Sequence, residues 1–251
     1  MTIAPVALIT GAGSGIGRAT AIRLASHGWR LALVGRREEA LQETIRLAAS
    51  SAPGDLDFML IPVDLSDVGA AEGVIDATLS QFKRLDALIN NAGMGERVPI
   101  DATTPDLLDR TFALNTFAPA MLIAGAWKAW KRQRPLRGAP SPCVVNVSSM
   151  STIDPFPGLM VYGGSKAALE SFTRSIMNER GATGVRAFSI APGAVETPLL
   201  RRVFSRKEAP PSIALEPDDV AVEIVACVLG DRPRSEGRVT MLVKGRPRRV
   251  V

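Results

Sequence analysis

Short apolar runs alternate with longer amphipathic stretches along almost the whole of this 251-residue chain. Strands are predicted at about residues 6–10, 30–35, 58–63, 87–90, 143–148, 187–191 and 239–243. Helices are predicted between them, among others at residues 38–49, 70–82, 107–131, 162–179 and 218–229. Such alternation predicts a parallel sheet with helices on both faces and right-handed crossovers. The expected fold class is therefore α/β, a single domain over residues 1–251 with a doubly wound parallel sheet of about seven strands.

A glycine-rich turn follows the first predicted strand. The run Val6–Thr10 leads into Gly11-Ala12-Gly13-Ser14-Gly15-Ile16-Gly17, and a helical pattern follows. Glycines at such a turn let backbone N–H groups approach a pyrophosphate, whose charge is favoured at a helix N-terminus. The alternative is a turn that only tightens the packing of strand against helix. The spacing also departs from the Gly-x-Gly-x-x-Gly pattern of dinucleotide-binding loops.

The only tyrosine of the chain, Tyr162, stands four residues before Lys166. On a helix this spacing puts both side chains on one face, where the ammonium favours the phenolate. A phenol with a pKa of about 10 is a poor proton donor or acceptor at neutral pH. A lowered pKa would suit it to the general acid/base chemistry of alcohols and carbonyls. Tyr162 and Lys166 alone are weak evidence for such chemistry, and the glycine turn strengthens that evidence.

One histidine and two cysteines limit the chemistry that is possible. A Ser-His-Asp hydrolase is not indicated, because His27 stands at a predicted helix end and Ser149 lacks a Gly-x-Ser-x-Gly elbow. The ligand set of a zinc alcohol dehydrogenase is missing, so no metal is expected. Cys143 and Cys227 are interpreted as small buried hydrophobic residues. No apolar run approaches the roughly 20 residues of a membrane span, and no room is left for a signal peptide, which predicts a cytoplasmic protein.

The chain carries a formal net charge of +5, and its basic residues cluster at 128–137 and 244–249. Nucleic-acid binding is one interpretation of such clusters. Only 5% of the residues are aromatic, so a platform for stacking bases is lacking. A solvated helix end, a loop and a frayed tail are favoured, and no nucleic-acid partner is expected.

Several motifs in this order resemble the short-chain dehydrogenase/reductase family. They are Thr10-Gly11-x-x-x-Gly15-Ile16-Gly17, Asp64, Asn90-Asn91-Ala92-Gly93, Asn115, Val145-Asn146-Val147-Ser148-Ser149, Tyr162 with Lys166, and Pro192-Gly193 with Thr197. The resemblance covers roughly residues 3–200, and the last fifty residues match less well. It implies a Rossmann-type fold, a nicotinamide cofactor, a small carbonyl or alcohol substrate, and a homodimer or homotetramer.

The resemblance also implies a catalytic set of Asn115, Ser149, Tyr162 and Lys166. Tyr162 would exchange a proton with the substrate oxygen as hydride moves to or from the nicotinamide. Lys166 would lower the phenol pKa and bond the ribose hydroxyls, Ser149 would hold the substrate oxygen, and Asn115 would hold a water. The implied cofactor-binding residues are Gly11, Ser14, Gly15, Ile16, Gly17, Arg36, Arg37, Asp64, Leu65, Asn91, Ala92, Gly93, Tyr162, Lys166, Pro192, Gly193, Val195 and Thr197.

The choice of nicotinamide cofactor depends on the end of the second predicted strand, which reads Gly35-Arg36-Arg37. A fold that selects NAD usually carries Asp or Glu about there, on the ribose 2′-hydroxyl. Here arginines follow the strand, and arginine holds phosphate bidentately. NADP(H) is therefore favoured over NAD. By resemblance, Asp64 should accept from the adenine amino group and Asn91 should contact the adenosine ribose.

Residues 198–217 are expected to form a mobile lid over an apolar substrate pocket, with a permanently folded helical pair as the alternative. The apolar residues assigned to the lid and the pocket are Leu199, Leu200, Val203, Phe204, Pro210, Pro211, Ile213, Met94, Ile153, Phe156 and Met160. The cations Arg201, Arg202, Arg206 and Lys207 would either meet an acidic substrate or be solvated.

The expected function is interconversion of a carbonyl and a secondary alcohol by hydride transfer with NADP(H). The alternative is a sensor or scaffold that binds NADP(H) without turnover, since a fold does not determine function. The complete Asn-Ser-Tyr-Lys set argues against a sensor, which needs no acid group.

Overall fold

The computed structural model describes residues 4–251 and contains one eight-stranded sheet in the order β3-β2-β1-β4-β5-β6-β7-β8. Its strands are β1 Val6–Thr10, β2 Arg30–Gly35, β3 Phe58–Pro62, β4 Ala87–Asn90, β5 Cys143–Val147, β6 Arg186–Pro192, β7 Val239–Leu242 and β8 Arg249–Val250. Strands β1 to β7 pair in parallel, whereas β8 pairs antiparallel with β7. The predicted Rossmann-type α/β fold is confirmed.

Eight α-helices connect and flank these strands within the described residues. They are α1 Gly15–Ser26, α2 Glu38–Ser51, α3 Ala70–Phe82, α4 Pro105–Phe112, α5 Ala118–Trp130, α6 Met160–Glu179, α7 Pro198–Val203 and α8 Pro217–Leu229. A π-helical turn, Ala113–Phe117, separates α4 from α5. The single helix predicted over residues 107–131 is therefore wrong, because this turn divides it.

The central parallel strands β1, β4, β5 and β6 are buried on both faces, as in parallel sheets that helices cover. Successive residues of β1 show the alternation, since Ile9 packs in the layer that contains Leu24 of α1 and Ile224 of α8. Leu8 packs in the opposite layer, which contains Leu122 of α5. Each face of the sheet thus has its own apolar layer, which explains why the strands are nearly continuous apolar runs.

The basic end of the chain is ordered rather than frayed. Strand β8 pairs with β7, and the Arg248 guanidinium donates to the buried Glu223 carboxylate of α8 at 2.7 Å. The structure thus adds the two-residue β8 to the seven strands predicted, and only the expectation of a frayed tail is wrong. Arg248 and Glu223 are 25 residues apart in the sequence, so local patterns could not reveal their ion pair.

The two cysteines behave as small core residues. Cys143 and Cys227 are both free and buried, and burial raises the pKa of the Cys143 thiol to about 11. A thiol of such a pKa stays protonated and unreactive at neutral pH. None of the helices in residues 4–251 combines the length and the apolar character needed to cross a membrane.

The strand order positions the site. The chain runs outward from β1 through β2 to β3 and then returns to β4 on the other side of β1. In open α/β sheets the crevice at such a switch, outside the carboxyl ends of the strands, is where ligands bind. The turn Gly11–Gly15 after β1 and the Asn91–Gly93 turn after β4 lie at this point.

Candidate active site

A continuous cavity of about 710 Å³ lies at the carboxyl ends of the strands. Its walls come from the turns after β1 to β6, from the N-terminal half of α6 and from α7. All the site residues predicted from the sequence line this cavity except Gly17 and Asn115. The structure therefore brings the glycine turn and the Tyr162–Lys166 pair to one cleft.

The glycine turn forms a cradle that larger residues would fill. Gly11 and Gly15 have φ values of +65° and +52°, in the left-handed region that favours glycine. A Cβ on Gly17 would lie 2.4 Å from the Gly11 carbonyl oxygen and 2.6 Å from Asn91 Nδ2. Gly17 therefore lets α1 pack closely against the turn rather than lining the cavity.

Thr10 and Asn91 hold the glycine turn against the turn after β4. The Thr10 hydroxyl oxygen accepts from the backbone N–H of Asn91 at 2.9 Å and of Ala92 at 3.0 Å. In return the Asn91 amide donates to the carbonyls of Thr10 and Gly11, at 2.8 and 3.3 Å. Asn91 thus has a clear structural role, and its predicted contact with an adenosine ribose stays a prediction.

Arg36 and Asp64 stand together at the ends of β2 and β3. Arg36 Nη1 lies 3.7 Å from Asp64 Oδ2, while the backbone N–H and hydroxyl of Ser66 donate to Asp64 Oδ1. Burial acts to raise the pKa of Asp64, but the Ser66 hydrogen bonds and the Arg36 charge outweigh it and lower the pKa. An ionised Asp64 therefore helps to hold Arg36 at the cavity wall.

Tyr162 and Lys166 share one face of α6, as their spacing predicted. The Lys166 ammonium lies 6.0 Å from the centroid of the Tyr162 ring and donates to the Val147 carbonyl at 2.8 Å. Burial lowers the pKa of Lys166 to about 8. Burial also raises the pKa of the Tyr162 phenol, which the Ser149 hydroxyl lowers only in part.

The expectation that Lys166 lowers the phenol pKa is therefore wrong for this structure. Desolvation disfavours the phenolate more than the neighbouring hydrogen bond favours it. Lys166 is itself buried and directed to the Val147 carbonyl, which leaves it less able to act on the phenol. Tyr162 therefore carries its phenolic proton at neutral pH, but the raised pKa makes it a weaker acid than a free phenol in this structure.

Ser149 begins the turn that follows β5. Its hydroxyl oxygen accepts from the backbone N–H of Ser151 at 3.2 Å and from the Ser151 hydroxyl at 2.9 Å. The Thr152 hydroxyl donates to the Ser149 carbonyl at 2.9 Å. These contacts define the position of Ser149 at the cavity wall.

Glu170 ties this turn to α6, and the sequence analysis missed it. Its Oε1 accepts from the hydroxyls of Ser148 at 2.7 Å and Thr152 at 2.8 Å. The flanks of Ser149 are thereby fixed to the helix that carries Tyr162 and Lys166. The spacing of four residues from Lys166 placed Glu170 on the same helical face, but its partners come from another element.

Asn115 lies in the π-helical turn and is fully buried. Its Oδ1 accepts from the Met94 backbone N–H at 2.9 Å, and its Nδ2 donates to the Met94 carbonyl and the Ser165 hydroxyl at 2.8 and 2.9 Å. Both amide hydrogens are thus donated to protein groups. The side chain joins the turn after β4 to α6, beside Gly93, whose Cβ would lie 3.2 Å from Lys166 Nζ.

The 198–217 segment begins with α7 and continues through turns. Five of its seven predicted apolar residues line the cavity: Leu199, Leu200, Val203, Phe204 and Ile213. Phe156 also lines it and packs edge-on against Phe204, with ring centroids 5.2 Å apart. Pro210, Pro211, Ile153 and Met160 are absent from its wall, and Met94 lines a smaller pocket beside it.

Arg97 fastens this segment to the loop after β4. Its guanidinium donates to Glu208 at 2.6 Å and lies 5.4 Å from the centroid of the Phe204 ring. Phe204 belongs to a small apolar cluster against which Tyr162 packs. The segment therefore covers the candidate acid/base directly.

Comparison with known proteins matches residues 5–208 to the model of the short chain dehydrogenase family. The chain belongs to the short-chain dehydrogenase family. Over 196 residues this short-chain dehydrogenase is 34% identical to levodione reductase of Leifsonia aquatica, which covers 78% of this chain and 71% of the relative. A crystal structure of levodione reductase has a TM-score of 0.86 at 28% identity and covers 98% of each chain.

Two further solved structures differ in the cofactor that they contain. A 3-ketoacyl-(acyl-carrier-protein) reductase from Brucella melitensis, complexed with NADH, has a TM-score of 0.84 at 28% identity over 96% of this chain and 98% of that one. A metagenomic short-chain oxidoreductase in complex with NADP has a TM-score of 0.74 at 29% identity over 90% of each. This short-chain dehydrogenase is thus a nicotinamide-dependent oxidoreductase of carbonyl and alcohol groups, from a family that uses either cofactor.

Proposed function

We propose that this short-chain dehydrogenase interconverts a carbonyl and a secondary alcohol with NADP(H), with Tyr162 as general acid/base. The observation that carries the proposal is that Ser149, Tyr162 and Lys166 line the same cavity as the glycine turn. A sensor that binds the cofactor without turnover has no need for an acid group there. Residues 1–251 then form one NADP(H)-binding domain, and assembly into a homodimer or homotetramer stays a prediction.

The residues present fit a dinucleotide. At Gly11 and Gly15 the left-handed backbone leaves the floor of the cleft free of side chains, and the N-terminus of α1 favours negative charge there. The turn would hold the pyrophosphate, Asp64 and Leu65 the adenine, and Val195 with Thr197 the nicotinamide carboxamide. When bound, the nicotinamide supplies or accepts the hydride.

The proton is handled by this chain's own residues. Tyr162 gives its phenolic proton to the substrate oxygen during reduction and takes it back during oxidation. Ser149 holds that oxygen, and Lys166 would bond the ribose hydroxyls. Both amide hydrogens of Asn115 are donated and its Oδ1 accepts from the Met94 N–H, so we assign the water of the proposed relay to the Asn115 backbone carbonyl. π-helical turns such as this one are frequent at functional sites.

A panel of aldehydes and ketones, followed by the absorbance of NADPH, tests the proposed function. Turnover of at least one carbonyl compound with NADPH is expected. Tight binding of NADPH without oxidation by any member of a broad panel would favour the sensor instead.

Cofactor selectivity is expected to depend on Arg36. Arg36→Ala should weaken NADPH binding by about 1.5–3 kcal/mol, the value of a charge-assisted phosphate contact, and should change NADH binding far less. Calorimetric titration with both cofactors measures this difference. Arg46→Ala is the matched control, because Arg46 lies on α2, is exposed, and pairs with Glu43 away from the cavity. Equal losses for the two cofactors, or a native preference for NADH, would contradict the assignment.

Residues 198–217 are proposed to act as a lid, because they cover Tyr162 and closure would exclude water from the site. Backbone amides of this segment should exchange faster in the free protein and become protected when NADP(H) and substrate are bound. Hydrogen exchange followed by mass spectrometry measures the change. If these amides were already highly protected without ligands and did not change on binding, the segment would be a permanently folded cover and the lid proposal would be wrong.

A further inference from the structure

We propose that Arg202 recognises an anionic group on the substrate, so that this enzyme prefers carbonyl compounds that carry a carboxylate or a similar anion. The inference rests on the proposed function and names the substrate class of the same site. Arg202 lies on α7 and lines both the main cavity and the smaller pocket beside it. It is therefore at the place where the substrate end of the cleft opens.

The other cations along the cavity are elsewhere or engaged. Arg36 and Arg37 lie at the β2 end, where the adenosine part of the cofactor is expected. The Lys166 ammonium is buried and donates to the Val147 carbonyl. Within residues 4–251, Arg202 is consequently the one cation that α7 contributes to the wall of the main cavity, and Leu199 and Val203 accompany it in both walls.

Three arginines close to this mouth each have a carboxylate partner. Arg97 donates to Glu208, and Arg110 donates to Glu96 at 2.8 Å. Arg201, next to Arg202 in sequence, donates to Glu196 at 2.6 Å and to the Ala209 carbonyl at 2.8 Å. Each of these three arginines therefore has a carboxylate partner within the protein and contributes to the structure around α7.

Arg202 differs from these three, since within residues 4–251 it forms no ion pair and no side-chain hydrogen bond. The guanidinium is exposed and therefore hydrated while the cleft is open. The Arg201 contacts meanwhile anchor α7, which fixes the base of the neighbouring side chain. The planar guanidinium of an arginine presents a fork of N–H donors, which matches the oxygens of a carboxylate, sulfonate or phosphate bidentately. As substrate and lid exclude water, such a pair becomes stronger.

Glu96 lines the smaller pocket with Arg202, but it is already paired with Arg110. Asp154 is the carboxylate that bears most on the proposal. It is exposed and lines the main cavity, in the loop that follows the turn of Ser149. An anion next to Ser149 would be repelled by it, whereas an anion beside α7 meets Arg202. The two charges together orient a substrate with its carbonyl at Ser149 and Tyr162 and its anionic group towards α7.

The test compares matched oxo acids and their methyl esters, together with an aldehyde sulfonate and an aldehyde phosphate, all with NADPH. Wild-type kcat/KM should favour the acid of the best pair by at least about 10-fold, as expected for a charge-assisted contact. The sulfonate and phosphate arms show which anion fits best. Arg202→Gln should bring the ratio of acid to ester close to one, and Arg202→Lys should keep part of it because it retains charge without the fork.

Arg206→Gln is the matched control, because Arg206 lies in the same segment, is exposed and is absent from the cavity wall. It should leave the ratio unchanged. Competitive inhibition by unreactive alkanoates should weaken in Arg202→Gln by the same factor, which gives a readout of binding alone. Esters and neutral ketones reduced as well as the acids by the wild type would overturn the inference but leave the proposed function intact.

Failure to reduce any carbonyl compound would instead be the failure of the proposed function. Asp154→Asn tests a further explanation, in which Arg202 only neutralises the charge of Asp154. If the effect of Arg202→Gln disappears in the Asp154→Asn background, Arg202 serves to neutralise Asp154, and the inference is overturned. If the loss of acid preference persists there, Arg202 acts on the substrate itself.

Discussion

Tyr162→Phe is expected to lower kcat by about 10²–10⁴-fold, the usual contribution of a general acid/base, while NADPH binds with an unchanged Kd. The variant removes only the hydroxyl. The ring remains to pack against Gly95, whose Cβ would lie 3.0 Å from it, and against the apolar cluster of Phe204. Steady-state kinetics and cofactor titration on the same preparation separate the two effects.

The control for this variant is its free energy of unfolding, which should match that of the wild type. Near-normal turnover would assign the proton to another group. Lys166 would then be the next candidate, because burial lowers its pKa to about 8 and so makes its neutral form accessible. A pH profile that kept its shape in Tyr162→Phe would lead to the same reassignment.

Gly17→Ala is expected to give the second large effect. The added Cβ would lie 2.4 Å from the Gly11 carbonyl oxygen, which is backbone and cannot rotate away. Overpacking of this kind costs about 1–3 kcal/mol of stability. The displaced turn should also bind cofactor poorly, so a loss of at least tenfold in NADPH affinity is expected, measured by titration alongside urea unfolding.

Gly73→Ala is the matched control and should act in the opposite direction. Gly73 lies within α3, and a Cβ there would meet no atom within 4 Å. Alanine in a helix interior is better than glycine by about 0.5–1 kcal/mol, so this variant should gain stability and bind NADPH normally. Equal stability losses in the two variants would show that the close approach of α1 at Gly17 has no special role.

The strands that the sequence revealed best are those buried on both faces. The run Val6–Thr10 matches β1 to the residue because a fully covered strand is apolar throughout. Strand β8 escaped notice because its two residues, Arg249 and Val250, carry no such pattern. Its pairing depends on β7 and on the Arg248 contact with Glu223, which are tertiary interactions.

The division of the 107–131 helix has only in part a similar cause. Its residues form a helical pattern that contains Pro119 four residues after Asn115, where proline has no N–H to donate to the Asn115 carbonyl. The contacts of the Asn115 side chain there are with Met94, 21 residues away, and with Ser165 on α6. Partners this distant leave no periodic signal, so the contacts of Asn115 could not be predicted, whereas Pro119 was a local signal of a break that the helix prediction did not use.

In the candidate site, too, tertiary interactions decide what the sequence could not predict. The spacing of Tyr162 and Lys166 predicted their common face correctly, yet not the direction of the phenol pKa shift. That direction depends on burial, which raises the pKa of Tyr162, and burial is decided by the Phe204 cluster and the surrounding turns. Glu170 was missed for a related reason, because its hydroxyl partners belong to the turn after β5.

The most direct test of the account uses NADPH that carries deuterium at both C4 positions of the nicotinamide. Wild-type enzyme is incubated with this cofactor and the carbonyl compound that the panel identifies, and the alcohol is analysed by mass spectrometry and NMR. One deuterium on the carbinol carbon is predicted. Tyr162→Phe should form about 10²–10⁴-fold less alcohol over the same time, and the alcohol that it does form should carry the same label. NADPH that binds tightly but delivers no deuterium to any carbonyl compound would contradict the account and leave a cofactor-binding protein without turnover.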